Sequence, residues 1–129
     1  MTTKHEIKEK ILRWFEAVNS RDLTAIDRVA DEFFTADYVW HFPDVTDLQP
    51  GPAGVKTLCR NILAGNPNMK ITLEDMLMEG DKVAVRCTIR RTDPASGKPQ
   101  RCQEMLIGRM VGDKTAEDWE LLGPWEDDA

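Results

Sequence analysis

Two kinds of hydrophobic periodicity divide the chain, and their separation constrains the fold more than any other feature of the sequence. Helical spacing dominates the first half, whereas apolar and polar residues alternate along most of the second half. Side chains of a helix return to one face about every 3.6 residues, and those of a strand return every second residue. The sequence therefore predicts an α+β domain, in which helices pack on one face of an antiparallel sheet.

Three helices are predicted, with one strand between the second and the third. Residues 3–19 form an amphipathic helix, and Asp22 is placed to cap a second helix over residues 23–34. A strand near residues 38–42 and a loop rich in turn formers follow, and helical spacing resumes over residues 53–64.

Four strands are predicted in the second half, at residues 69–77, 83–89, 101–110 and 115–122. Turn residues at 79–81 and 111–114 join them as hairpins, and a Pro- and Gly-containing loop at 93–99 makes the other connection. The acidic end, Glu126-Asp127-Asp128, is expected to be a frayed terminus.

Length, charge and cysteine content exclude several classes of function. A chain of 129 residues predicts a single domain over residues 1–129. The net charge of -6 argues against a nucleic-acid surface, which needs clustered Lys and Arg. Three cysteines without paired spacing and only two histidines match no metal-site template, so no metal is expected. Without a signal-like or membrane-length apolar run, a cytoplasmic location is expected.

His41 is the first candidate for chemistry, at the end of the aromatic run Tyr38-Val39-Trp40-His41-Phe42. Imidazole ionises near neutral pH, so a histidine that a strand delivers into a pocket can transfer protons without a metal. The alternative is a half-buried histidine whose ring is bonded to backbone.

Acidic residues on the final two strands are the second candidates. Alternation places Glu104 and Leu106 on one face of their strand, and Asp118 and Glu120 on one face of the next, opposite Trp119. If the tryptophan faces the core, the acids are solvated. If Glu120 faces an apolar cavity, desolvation raises the pKa of its carboxyl and suits it to proton transfer.

Four motifs, taken in their order and spacing, resemble the SnoaL-like polyketide cyclase family of the nuclear transport factor 2-like superfamily. They are Gly51-Pro52-Ala53-Gly54-Val55, Leu73-Glu74-Asp75, Glu79-Gly80-Asp81-Lys82-Val83-Ala84-Val85-Arg86 and Gly112-Asp113-Lys114-Thr115-Ala116-Glu117-Asp118-Trp119-Glu120. The resemblance spans nearly the whole chain. It implies a cone-shaped curved sheet with the three helices on its concave face, and a homodimer formed through the outer face of that sheet.

The resemblance also implies cofactor-free proton chemistry on a small apolar compound that bears a carbonyl or a ring, such as an aldol-type cyclisation. It places the catalytic carboxylate at Glu120, where the family has Asp, and the assisting histidine at Leu106. Glu104 lies on the same face as Leu106, and His41 lies where related steroid isomerases place their base. Both are therefore expected to take part in catalysis with Glu120.

Five further residues are expected at the ligand, among them Leu106 and Asp118 on the last two strands. Trp14 and Trp40 are placed on the covering helix and beside His41, and Arg86 resembles an arginine of limonene epoxide hydrolases. In those hydrolases an acid lies two residues further along the strand, and this chain has Thr88 at that position. The alternative for Arg86 is an outward residue in a salt bridge. Isomerase and hydrolase-like reactions stay open, as does a non-catalytic module that binds a small hydrophobic molecule or dimerises.

Overall fold

The structure is a computed structural model that describes residues 2–128. In chain order the elements are α1 Lys4–Ser20, α2 Leu23–Phe33, β1 Phe34–His41, α3 Pro52–Gly65, β2 Lys70–Glu79, β3 Lys82–Thr92, β4 Pro99–Val111, β5 Lys114–Leu122 and β6 Glu126–Asp127. The three helices pack against a six-stranded sheet that does not close into a barrel. The predicted α+β class is confirmed.

Both opening helices begin at side-chain caps. Thr3 accepts a hydrogen bond from the backbone N–H of Glu6, whose carboxylate reaches back to Thr3 in a capping box. The Asp22 carboxylate accepts from the backbone N–H groups of Thr24 and Ala25, which confirms the predicted cap of α2.

The sheet is mixed rather than wholly antiparallel. Its strand order is β1-β5-β4-β3-β2, and β6 pairs with the start of β4. The hairpins make β2 to β5 antiparallel as expected, but β1 joins the edge beside β5 in parallel. The prediction was wrong at β1 because this strand reaches the sheet across intervening elements and not through a tight turn.

A bulge in β2 changes which side chains face the helices. The pairing with β3 shifts between Leu73 and Asp75, so Asp75 lies opposite Arg86 on the outer face. Beyond the shift, Met76 is buried and Leu77 is exposed, the reverse of what an uninterrupted alternation from Leu73 would give. An extra residue in one strand bends it, which adds curvature to the sheet.

Phe34 lies at the start of β1, whereas it was predicted to belong to the second helix. Its backbone is extended, and its ring packs against Trp14 at 5.2 Å and Tyr38 at 4.4 Å between centroids. Phe34 is buried, as its place in the apolar pattern predicts, and only the predicted type of element was wrong.

The acidic C-terminal residues are not frayed. Glu126 and Asp127 pair with Arg101 and Gln100 of β4 as strand β6. Asp128 forms an ion pair with Arg90, at 3.2 Å between Nε and Oδ2. The expectation failed because the basic outer edge of β3 and β4 supplies partners for these carboxylates.

Among residues 2–128, no helix is both long enough and apolar enough to cross a bilayer.

Candidate active site

A cavity of about 370 Å³ lies between the inner face of the sheet and the helices. Its walls are mostly aromatic and aliphatic, a composition typical of small-molecule sites. The aromatic lining residues are Trp14, Phe15, Phe33, Phe34, Tyr38, Trp40, Phe42 and Trp125. A pocket of this size accommodates a molecule of a few fused rings.

Three carboxyl groups interrupt this apolar lining on the wall formed by β4 and β5. Glu104, Asp118 and Glu120 line the cavity and are only 6%, 8% and 5% exposed. Glu120 lies opposite Leu106 in the antiparallel register, and Asp118 lies opposite Gly108. Alternation then places all of these residues on one face of the two strands.

Asp118 occupies a cradle formed by Tyr38 and Gly108. The Tyr38 hydroxyl donates a hydrogen bond to Asp118 Oδ2 at 2.6 Å. A Cβ at position 108 would lie 2.6 Å from Asp118 Oδ1, so glycine provides the space for this carboxyl. Burial raises the pKa of Asp118 to about 7, although the Tyr38 hydrogen bond opposes the rise. Asp118 therefore changes charge near neutral pH.

Glu120 lies between Trp40 and Glu104. The indole Nε1 of Trp40 donates to Glu120 Oε1 at 2.9 Å. Burial, followed by the charge and hydrogen bond of Glu104, raises the pKa of Glu120 well above its usual value, while the Trp40 N–H favours the ionised form. The raised pKa keeps a proton on Glu120 in its contact with Glu104, because two neighbouring carboxyl groups cannot both ionise at little cost in an apolar site.

This arrangement provides an acid and a base in the same cavity. The ionised member of the Glu104–Glu120 pair can accept a proton from a bound molecule, and the protonated member can donate a hydrogen bond to its oxygen. Among the described residues, no group of histidines, cysteines and acids has an arrangement that suits a metal ion.

Most of the residues that the sequence singled out lie together at this cavity. They are Trp14, Trp40, Glu104, Leu106, Asp118 and Glu120. The acids of β5 face inward and Trp119 faces outward, which decides between the two orientations that the sequence left open. The catalytic role of these residues stays a prediction.

His41 lies outside the cavity, so the predicted His41–Glu120 pair does not form. Its side chain is 48% exposed on the outer face, where Nε2 lies 2.7 Å from Glu117 Oε2. The ring stacks on Trp119 at 5.5 Å between centroids. Trp40 and His41 are consecutive on β1, and consecutive side chains of a strand point to opposite faces. Trp40 faces inward, and His41 therefore cannot.

Arg86 also lies outside the cavity, so its predicted contact with the ligand is wrong. Its guanidinium pairs with Asp75 at 2.7 Å and donates to Gln103 on the outer face of the sheet. The alternative of an outward salt bridge is confirmed. The reason is the alternation of β3, in which Val85 and Cys87 take the inner face.

Two features of the site were missed in the sequence. Tyr38 was treated only as part of an aromatic run, although a tyrosine two residues before Trp40 must share its face. Arg91 and Trp125 line the cavity, and the Arg91 guanidinium carbon lies 3.9 Å above the Trp125 ring. No local pattern signals that second contact, because it joins β3 to the C-terminal segment.

Helices on one face of a curved mixed sheet, with an acid-bearing cavity between them, define the nuclear transport factor 2-like class of α+β protein. Within that class, the chain belongs to the SnoaL-like domain family, which matches residues 11–118. No curated protein matches the sequence.

Solved structures with this fold include several from Streptomyces. TsrD from Streptomyces laurentii superposes with a TM-score of 0.78 at 21% identity, over 95% of this chain and 91% of TsrD. IdmH from Streptomyces antibioticus, a proposed polyketide cyclase, superposes with a TM-score of 0.74 at 26% identity, over 90% of this chain and 91% of IdmH. A proposed SnoaL-like polyketide cyclase from Jannaschia sp. CCS1 superposes with a TM-score of 0.77 at 16% identity, over 95% of this chain and 90% of the other.

Proposed function

We propose that the protein is a cofactor-independent acid–base enzyme that acts on a small apolar compound bearing a carbonyl group or a ring. The observation that carries this proposal is the Glu104–Glu120 pair, two hydrogen-bonded carboxyl groups buried in the wall of an aromatic cavity. Buried carboxyl groups with perturbed pKa values are concentrated at sites of proton transfer. The likeness to IdmH, a proposed polyketide cyclase, favours a cyclisation among the reactions of this class.

In the proposed reaction, the ionised carboxyl of the pair removes a proton from the carbon beside a substrate carbonyl. The electron pair of that C–H bond moves into the enolate, whose oxygen accepts a hydrogen bond from the protonated carboxyl. In a cyclisation, the enolate carbon then attacks a second carbonyl of the same molecule, and the resulting alkoxide takes up a proton. The aromatic walls exclude water and hold the substrate in a folded conformation.

Deuterium exchange tests this proposal without knowledge of the natural substrate. Aryl ketones and β-diketones are incubated with the protein in D₂O, and exchange beside the carbonyl is followed by NMR. Wild type is expected to accelerate exchange, and Glu120→Gln is expected to reduce the acceleration by about a hundredfold, within the range of general acid–base effects. Glu117→Gln is the matched control on the opposite face of β5. Equal rates in wild type and Glu120→Gln would refute the proposal.

A second candidate is a non-catalytic module that binds a small hydrophobic molecule. The observation that favours it is Leu106, which lines the cavity opposite Glu120 at the position where the resemblance implies a catalytic histidine. This candidate predicts that ketones bind with equal affinity to wild type and Glu120→Gln, and that neither protein accelerates exchange.

We also propose that the protein forms a homodimer through an outer apolar patch, which consists of Leu77, Met105, Ile107, Trp119 and Leu121. All five side chains are exposed, Leu121 by 74%. The sheet register aligns them, since Ile107 pairs with Trp119 and Met105 pairs with Leu121. Contiguous exposed apolar side chains of this kind mark interaction surfaces. A second copy is the expected partner because the resemblance to the SnoaL-like family implies pairing through the outer face of the sheet.

A further inference from the structure

Arg91 has a position that the proposed reaction does not explain. It lies near the end of β3 and is the only Lys or Arg among the described residues that line the cavity. The other lining residues are apolar, aromatic or polar, apart from the three acids. Arg91 is half-buried in this wall, and partial loss of hydration is costly for a guanidinium that has no compensating contacts.

Uncharged partners hold the guanidinium of Arg91 in place. Nε and Nη2 donate to Gln100 Oε1 at 3.1 and 3.0 Å, and Nη1 donates to Asn66 Oδ1. The indole of Trp125 stacks beneath it at 3.9 Å. Contacts to α3, β4 and the C-terminal segment thus fix the orientation of the group before any ligand arrives.

These contacts leave the charge of Arg91 without an anionic partner. The neighbouring outer-face arginines form ion pairs, Arg90 and Arg101 with Asp128 and Arg86 with Asp75. Within residues 2–128, by contrast, no carboxylate lies within ion-pair distance of Arg91. A guanidinium has about five N–H donors, and the two amides accept from three N–H groups of Arg91. Donors therefore remain for a further acceptor.

Arg91 is also remote from the catalytic acids along the sheet. Glu104 pairs with Cys87, four residues before Arg91 on β3. At a rise of about 3.3 Å per residue, this places the two positions roughly 13 Å apart along the strand. An anion at Arg91 would consequently not meet the carboxyl pair.

We propose that Arg91 is the specificity-determining residue of the cavity and binds a carboxylate at one end of an elongated aromatic substrate. The proposal rests on the proposed function in one respect, since the other end of the molecule then presents its carbonyl to Glu104 and Glu120. A preoriented guanidinium binds carboxylate through charge-assisted hydrogen bonds, and the aromatic walls take the rings between the two ends. Uncharged analogues lack the charge-assisted hydrogen bonds to Arg91.

Binding of matched probes tests this assignment. Benzoate, 2-naphthoate and 2-anthroate are each compared with the corresponding amide, and affinity is followed by quenching of the tryptophans that line the cavity. Wild type is expected to prefer at least one acid over its amide by about tenfold or more, in line with hydrogen bonds to charged groups. Arg91→Gln is expected to abolish this preference, and Arg90→Gln, its neighbour on the outer face, is expected to retain it.

Several outcomes overturn the assignment. They are a wild type that binds no acid more tightly than its amide, an Arg91→Gln variant that keeps the preference, and an Arg90→Gln variant that loses it equally. If Arg91→Gln does not fold, the uncharged Arg91→Met replaces it, and an unchanged preference in that variant also overturns the assignment. Glu120→Gln separates the two proposals, because it is expected to lose exchange activity and keep the preference for the acid.

Discussion

The side chain of Asp118 occupies the space that a Cβ at position 108 would need. Because that Cβ would approach Asp118 Oδ1 to 2.6 Å, Gly108→Ala must displace the carboxyl or the strand. We expect the free energy of unfolding to fall by about 1–3 kcal/mol, a typical cost of overpacking. Urea unfolding measures this loss of stability. Gly65→Ala is the control, because a Cβ at position 65 would meet no neighbouring atom within 4 Å. Equal stability of Gly108→Ala and wild type would contradict the packing.

The proton of Asp118 predicts how stability depends on pH. Burial raises its pKa from 3.8 to about 7, so between these values the folded protein keeps a proton that the unfolded chain releases. The free energy of unfolding therefore falls as pH rises from about 4 to about 7, by about 4 kcal/mol from this group. Asp118→Asn is expected to remove that fall, measured by urea unfolding across the range. If the free energy of unfolding of the variant and of wild type followed parallel pH profiles, this prediction would be refuted.

At the scale of single elements, β5 carries different kinds of side chain on the two faces of the sheet. Asp118 and Glu120 face the cavity, whereas Glu117 and Trp119 face outward with His41. We expect His41→Ala to keep the deuterium exchange rate of wild type within about twofold, since its ring cannot reach the cavity. NMR exchange with aryl ketones checks this. A loss as large as that of Glu120→Gln would show that His41 takes part after all.

The elements themselves could be predicted from the sequence because local periodicity determines them. The caps at Thr3 and Asp22 and the hairpin turns at Gly80 and Gly112 depend on neighbouring residues alone. Which face of β5 lines the cavity could not be predicted in this way. One face carries Trp119 and Leu121 and the other carries acids, so hydrophobicity favours the wrong orientation.

Long-range pairing explains the remaining errors. The side of the sheet on which His41 lies follows from the parallel register of β1 with β5, which joins His41 to Trp119. Arg91 meets Trp125 only because the C-terminal segment returns to the sheet. Strand alternation alone, however, already excluded a shared face for Trp40 and His41.

At the scale of the whole molecule, the outer apolar patch predicts the state of assembly. Leu121→Glu places a charge within this patch and is expected to convert a dimer into a monomer of 14.7 kDa, because an unpaired charge in an apolar interface is costly. Sedimentation velocity measures the change. Leu12→Glu, on the exposed face of α1, is the matched control and is expected to stay dimeric. A wild type that is monomeric at high concentration would contradict the proposed dimer.

The most direct test of the account is a carbon NMR titration of the side-chain carboxyl groups, assigned with Glu104→Gln, Asp118→Asn and Glu120→Gln. We predict that the Asp118 carbon titrates near pH 7. The Glu120 carboxyl is expected to keep its proton well above the usual pH range of glutamate, because burial and the neighbouring Glu104 raise its pKa. If Asp118 and Glu120 instead lose their protons below about pH 5, as exposed carboxyls do, the cavity holds no acid–base pair and the proposed chemistry fails.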